Sequence, residues 1–198
     1  STGLAERVTD FFNTFQALSA APTSNAERRL TVVSGQELAD RIHRAHDRLF
    51  SLRSDVNSEL KDTVAEVNRL LTSISKVSQK ISSSETEDTG LANELRDQRQ
   101  ATFEELAEYV NFAYTEGSNN KLGLTIAGQN FIVEDSLSDK LQTVDISATD
   151  PDPIRAGMTY VNSTNDSSEL GITGGKIKGL IDARDETIYN LAKEINDV

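Results

Sequence analysis

Val64-Ala65-Glu66-Val67-Asn68-Arg69-Leu70-Leu71-Thr72-Ser73-Ile74-Ser75-Lys76-Val77 is the stretch on which the fold turns. Val67, Leu70, Ile74 and Val77 step by three and four, the spacing that stacks side chains on one face of a helix. Carried outward, the repeat places Ile42, Leu49, Val56, Leu70 and Val77 in one seam position and Leu60, Val67, Ile74 and Ile81 in the other. Between residues 24 and 83 there is no proline, and no glycine after Gly35. The spacing therefore predicts one helix over 24–83, a rod of roughly 85–90 Å at about 1.5 Å per residue. Most globular helices stop after about three or four turns. A seven-residue repeat calls for partner helices wound along it. Such a rod suits building, spanning or signalling and argues against a compact enzyme.

The flanking sequence supplies those partners. Leu4, Val8, Phe11, Phe12, Phe15 and Leu18 share one face of a predicted helix over 4–18, which ends before Pro22. Ser24 and Glu27 have capping-box spacing and start the long helix. The polar run over 82–90 ends it, and a third helix over 91–108 folds back antiparallel. The period then drops to two. Residues 109–114, 122–126 and 131–133 read as strands, the last two forming a hairpin around Ala127-Gly128-Gln129-Asn130. Residues 141–146 and 158–161 are weaker strands, separated by a loop with Pro151 and Pro153. From Ile177 the helical pattern returns through Ile181, Ile188, Leu191, Ile195 and Val198, with Arg184 the one polar interruption. The expected class is α+β, mainly α. It is a long antiparallel coiled-coil or helical bundle (1–108) with a small antiparallel β domain (109–170) inserted before a last helix (171–198) that returns to the bundle.

The 198 residues can bury a real core in one or two domains. A net charge of −12 repels phosphate backbones and anionic lipid, so neither nucleic acid nor a membrane surface is an expected partner. The absence of cysteine excludes disulfides and thiolate metal sites. No stretch reaches the length of a membrane span. The chain opens at Ser1-Thr2-Gly3 and closes at Asn196-Asp197-Val198 within a helical pattern, as expected for the middle of a longer protein.

Residues that could carry chemistry read better as structure. Gly175 and Lys176 invite comparison with a phosphate loop, but Leu170 stands where its first glycine is required and Ile177 where a hydroxyl must follow the lysine. Glycines here let a strand turn into a helix that approaches its neighbours closely. His43 and His46, three apart on one helix face, could hold a metal. The competing reading makes His46 a polar register-setter in the seam, which Arg53 and Thr63 also interrupt. Glu85, Glu87 and Asp88 lack the alternation of a calcium loop and read as a solvated, capping turn. Asn93 and Asp97 share a helix face near Arg96 and Arg99. They serve either an intramolecular network or contact with an adjacent subunit. No catalytic, cofactor-binding or metal residue is expected, and no cofactor.

Four stretches together resemble the family of flagellar hook-associated protein 1, the first junction protein between hook and filament. They are Phe11-Phe12-Asn13-Thr14-Phe15-Gln16-Ala17-Leu18-Ser19 with Pro22 and Arg28-Arg29, then Val67-Asn68-Arg69-Leu70-Leu71 with Ile74. Further on come Gly90-Leu91-Ala92-Asn93-Glu94-Leu95-Arg96-Asp97-Gln98-Arg99 and Gly174-Gly175-Lys176-Ile177-Lys178-Gly179-Leu180-Ile181-Asp182-Ala183-Arg184-Asp185. Gln100 and Glu94 depart from the family pattern without touching the fold. The resemblance implies a non-enzymatic structural subunit that self-associates in a ring with neighbouring flagellar hook and junction proteins. It also implies an extracellular place in the bacterial flagellum, after export through the flagellar secretion apparatus. Without its terminal segments the chain is expected to be a monomer in solution. The alternatives are a helical sensor or ligand-binding module with a small β insert, and a related flagellin-like filament subunit.

Overall fold

The computed structural model describes residues 2–87, 92–117, 120–147, 149–151, 154–155 and 157–196. Its elements are α1 (Thr2–Ala20), α2 (Asn25–Glu87), α3 (Ala92–Tyr109), β1 (Phe112–Glu116), β2 (Leu122–Ile126), β3 (Gln129–Val133), β4 (Ser136–Leu137), β5 (Leu141–Asp145), β6 (Thr159–Ser163), α4 (Gly175–Asp182), a π turn (Ala183–Ile188) and α5 (Tyr189–Asn196). The class is the one the sequence predicts: a mainly helical protein whose small antiparallel sheets precede the last helix. The chain forms two compact units, Ser1–Leu52 with Asn190–Val198, and Arg53–Tyr189.

In the first unit α1 lies along the opening turns of α2. A side chain at Gly35 would stand 3.3 Å from the Phe11 ring, so glycine there lets the aromatic settle on the α2 backbone. Thr31 is buried, and its hydroxyl lies within hydrogen-bond reach of the carbonyls of Thr14 and Glu27. The Ser24 hydroxyl accepts the Glu27 amide at 3.3 Å. The Ser24 amide, however, bonds back to the Ala21 carbonyl, so only half of the predicted capping box forms. Phe12 and Phe15, predicted on the packing face of the first helix, are instead exposed. Seam residues Ile42 and Leu49 are half-buried.

The second unit holds the main core. Leu60, Val67, Leu70 and Ile74 of the seam pack with Phe103 and Leu106 of α3, with Ile177 of α4, and with one face of the sheet. Leu122, Leu124 and Ile126 alternate inward along β2, as period-two spacing requires. The four-stranded sheet runs β1-β2-β3-β4 and β5 pairs with β6, all antiparallel. Where one sheet was expected there are therefore two. Ala127 and Gly128, both at positive φ, join β2 to β3 in a two-residue turn of the primed kind. A register shift at Leu124 and Thr125 lets Phe131 and Ile132, adjacent in sequence, both be buried.

Two boundaries differ from expectation. The strand predicted over 109–114 begins only at Phe112, because α3 continues through Tyr109 and the Val110 amide still bonds the Leu106 carbonyl. The last helix is interrupted by the π turn, and its polar position, Arg184, is 2% exposed. The polar turn expected over 82–90 and the start of the third helix at Leu91 lie partly outside the described residues.

Candidate functional site

Of the polar residues singled out in the sequence, Arg99, Thr63 and Arg184 are buried in the second unit. Arg99 is buried. One guanidinium nitrogen reaches the Ser78 hydroxyl at 3.4 Å, another pairs with Glu116, and the group lies 5.7 Å from the centre of the Phe103 ring. Arg96 approaches the same Glu116 at 3.8 Å. Asn93 and Asp97 remain exposed on the solvent side of α3. The structure therefore brings the arginines into one intramolecular network and leaves the amide and carboxylate outside it. The Arg53 guanidinium donates to the Ile154 carbonyl at 2.8 Å. Burial, and then the neighbouring Arg184 charge, hold Arg53 below its ordinary pKa. Thr63 is buried and donates to the Glu59 carbonyl. Lys176, the cation of the glycine-rich stretch, is paired with Glu59.

His46 is not a seam residue. It is exposed, with its ring centre 4.3 Å from that of Phe50 at a tilt of 34° and its Nδ1 3.5 Å from Asp47. His43 is exposed as well. Among the described residues no three histidine, aspartate or glutamate side chains converge on a point where a metal could sit. The side chains of Glu85, Glu87 and Asp88 lie outside the described residues.

Two clamps that bind the sheets to α2 were not recognised in the sequence as clamps. Asn68, named there only as part of a motif, donates to the Leu141 carbonyl and accepts the Leu141 amide. Asp135, 3% exposed, sits in the left-handed turn after β3. Its carboxylate accepts the Leu122 amide and the Ser82 hydroxyl, while its carbonyl accepts Ser75 and Gln79. Only the extended partners, unreadable from local spacing, disclose these roles.

The surface most suited to an external partner is in the first unit. Phe12 is 61% exposed, Phe15 56%, Leu30 52% and Val32 56%, with Val33 beside them in sequence. A groove of about 750 Å³ in the same unit is lined by Leu4, Leu49, Leu52, Leu191 and Ile195 among others, with Arg41, Arg48 and Glu194 also on its walls. Among the described residues, eight of the ten large apolar side chains that are exposed belong to this unit. Charge is distributed in the same sense. The first unit carries seven basic and eight acidic residues, a net −1, whereas the second carries thirteen and twenty-four, a net −11. Near-neutral apolar surface favours association and strong like charge opposes it. The Leu30-Thr31-Val32-Val33 run off the seam was the sequence signal for this surface.

Residues 1–198 match the family described as the flagellar hook-associated protein FlgK helical domain. Flagellar hook-associated protein 1 of Bacillus subtilis is 25% identical over 174 residues, covering 86% of this chain and 34% of the relative. Its counterpart in Salmonella typhimurium is 24% identical over 192 residues, covering 95% and 34%. Among solved structures, the flagellar hook junction protein FlgK from Burkholderia pseudomallei superposes with a TM-score of 0.78 at 24% identity, over 94% of this chain and 34% of that one. This last likeness is one of fold. The chain spans about a third of the length of the relatives it matches.

Proposed function

The chain belongs to the flagellar hook-associated protein FlgK helical domain family, and on that premise we propose that it is a structural part of the adaptor between hook and filament of a bacterial flagellum. The observation that carries this reading is the exposed apolar surface of the first unit, to which Phe12, Phe15, Leu30 and Val32 contribute. In the assembled protein that surface is buried against neighbouring subunits of a ring. Many weak lateral contacts, repeated by symmetry, do the work that a single site does in an enzyme. Residues 1–108 and 171–198 build the wall of the tube, and the β part over 109–170 faces outward with its acidic surface. No catalytic step and no cofactor enters this function.

The protein acts outside the cell, at the flagellum, after export by the flagellar secretion apparatus. Its partners are copies of itself and the neighbouring hook and junction proteins. The 198-residue chain alone is a monomer in solution, which light scattering checks.

The decisive experiment places Phe12→Ser, Phe15→Ser and Val32→Ser together in the full-length protein, in a flagellated bacterium lacking its own copy. Expected are normal export, bare hooks in electron micrographs and lost motility. Full motility with intact filaments would overturn the assignment.

A further inference from the structure

We propose that Arg184 and Asp185 form an ionic latch that holds the last helix in its π turn, one of two registers open to that helix. The apolar residues Ile177, Ile181, Ile188, Leu191 and Ile195 step by four, seven, three and four, and Arg184 fills the gap in that series. An uninterrupted α-helix would carry a guanidinium on the same stripe as these aliphatics. Arginine does not surrender its charge on burial, and it brings five N–H donors that need acceptors.

Asp185 meets that demand from the adjacent position. Arg184 Nε donates to one carboxylate oxygen at 2.6 Å and a terminal nitrogen to the other at 2.9 Å. The remaining terminal nitrogen donates to the Thr159 carbonyl and lies 3.4 Å from the Asn57 side-chain oxygen. Neighbouring residues of an α-helix diverge by about 100° and do not face each other. A wider turn with i→i+5 bonding cuts that angle to roughly 80° and swings the carboxylate toward the guanidinium. The backbone bonding follows the same logic. The Ala183 amide bonds the carbonyls of Gly179, four residues back, and Leu180, three back, whereas the Tyr189 amide reaches those of Arg184, five back, and Glu186, three back, and not that of Asp185.

Removing either half of the latch removes the reason for the turn. The helix then closes to regular α-bonding, and every residue after Ile188 advances in phase by about 100°. Two discrete packings of one element, selected by one charge pair, are the form that switching elements take.

The test is the hydrogen-bond acceptor of the Tyr189 amide, read by through-bond NMR couplings in the labelled chain. In the unsubstituted protein the carbonyl of Arg184, five back, is an acceptor and shares the amide with that of Glu186. In Arg184→Met, which restores an apolar stripe, and in Asp185→Asn, which removes the counter-charge, the acceptor shifts to the carbonyl of position 185. Circular dichroism reports whether each variant is folded, and Asp185→Asn decides the matter if Arg184→Met is not. Retention of the position-184 acceptor in a folded variant, or its absence from the unsubstituted protein, overturns the proposal.

Discussion

The side-chain amide of Asn68 gives Leu141 both hydrogen bonds that a neighbouring strand would give it: the nitrogen donates to the carbonyl at 2.8 Å, and the oxygen accepts the amide at 2.9 Å. A residue of α2 thus caps the edge of β5 at its first position. Few other side chains can do this, because the task needs one donor and one acceptor side by side.

Asn68→Ala leaves both backbone groups of Leu141 without their partner. Each unsatisfied buried group costs about 1–3 kcal/mol, so urea unfolding shows a loss of about 2 kcal/mol or more. Asn68→Asp keeps an acceptor for the amide but turns an oxygen toward the carbonyl, and does not restore stability. A loss below about 0.5 kcal/mol in Asn68→Ala, the range of an ordinary surface substitution, contradicts the clamp.

Gly175 and Gly128 separate two reasons for glycine. Both have positive φ, +78° and +80°. A Cβ on Gly175 would lie 2.5 Å from the backbone of Tyr109 and Val110, whereas one on Gly128 meets nothing within 4 Å. Gly128→Ala therefore costs only the left-handed penalty, about 1–2 kcal/mol. Gly175→Ala adds a backbone clash, forces α4 away from the end of α3, and lowers the melting temperature well beyond the Gly128 variant. Equal shifts in the two variants refute the close approach.

Acid weakens the fold partly through Asp139. Burial raises its pKa, but hydrogen bonds from the Thr164 hydroxyl, the Lys140 amide, Ser163 and the Thr164 amide outweigh burial and bring it below the ordinary 3.8. A folded-state pKa below the unfolded one means the contribution is present in full above the unfolded value. It is lost as pH falls through the folded value. The stability gap between the parent chain and Asp139→Asn is thus constant at about pH 5–7 and narrows as pH drops below 3.8. Unfolding titrations at several pH values read this directly, and a gap that widens in acid reverses the sign.

Phe12 is 61% exposed, and the ring contact it makes is edge-to-face with Phe11 at 5.6 Å, so Phe12→Ser removes little packing. Calorimetry of the 198-residue chain shows a change of at most about 0.5 kcal/mol, even though the same substitution contributes to failure of assembly in the full-length protein. A large loss of stability would show that Phe12 belongs to the core rather than to a surface.

Much of this architecture was legible in the chain. The seven-residue spacing of Leu60, Val67 and Ile74 gave the long helix, the proline at 22 its predecessor's end, and the alternation of Leu122, Leu124 and Ile126 a strand. Local pattern failed where a helical bond and an alternating sequence compete for the same residues. Tyr109 and Val110 alternate like strand residues, yet the Val110 amide finds Leu106 and the residue stays buried beside α3. The π turn was invisible as well. Arg184 read as a flaw in an apolar stripe, and only its bonds to Asp185 and to the carbonyl of Thr159 give the flaw a cause.

By itself the sequence determined what repeats or sums: the long helix, the inward stripe of α2, and a net charge of −12. These follow from spacing and composition, which act between near neighbours or over the whole surface at once. Tertiary structure alone decided which apolar residues stay bare. Phe11 and Phe12 are adjacent and equally hydrophobic, yet Phe11 rests on Gly35 while Phe12 faces solvent. Burial is a property of what lies opposite a side chain, and the residues opposite come from elsewhere in the chain.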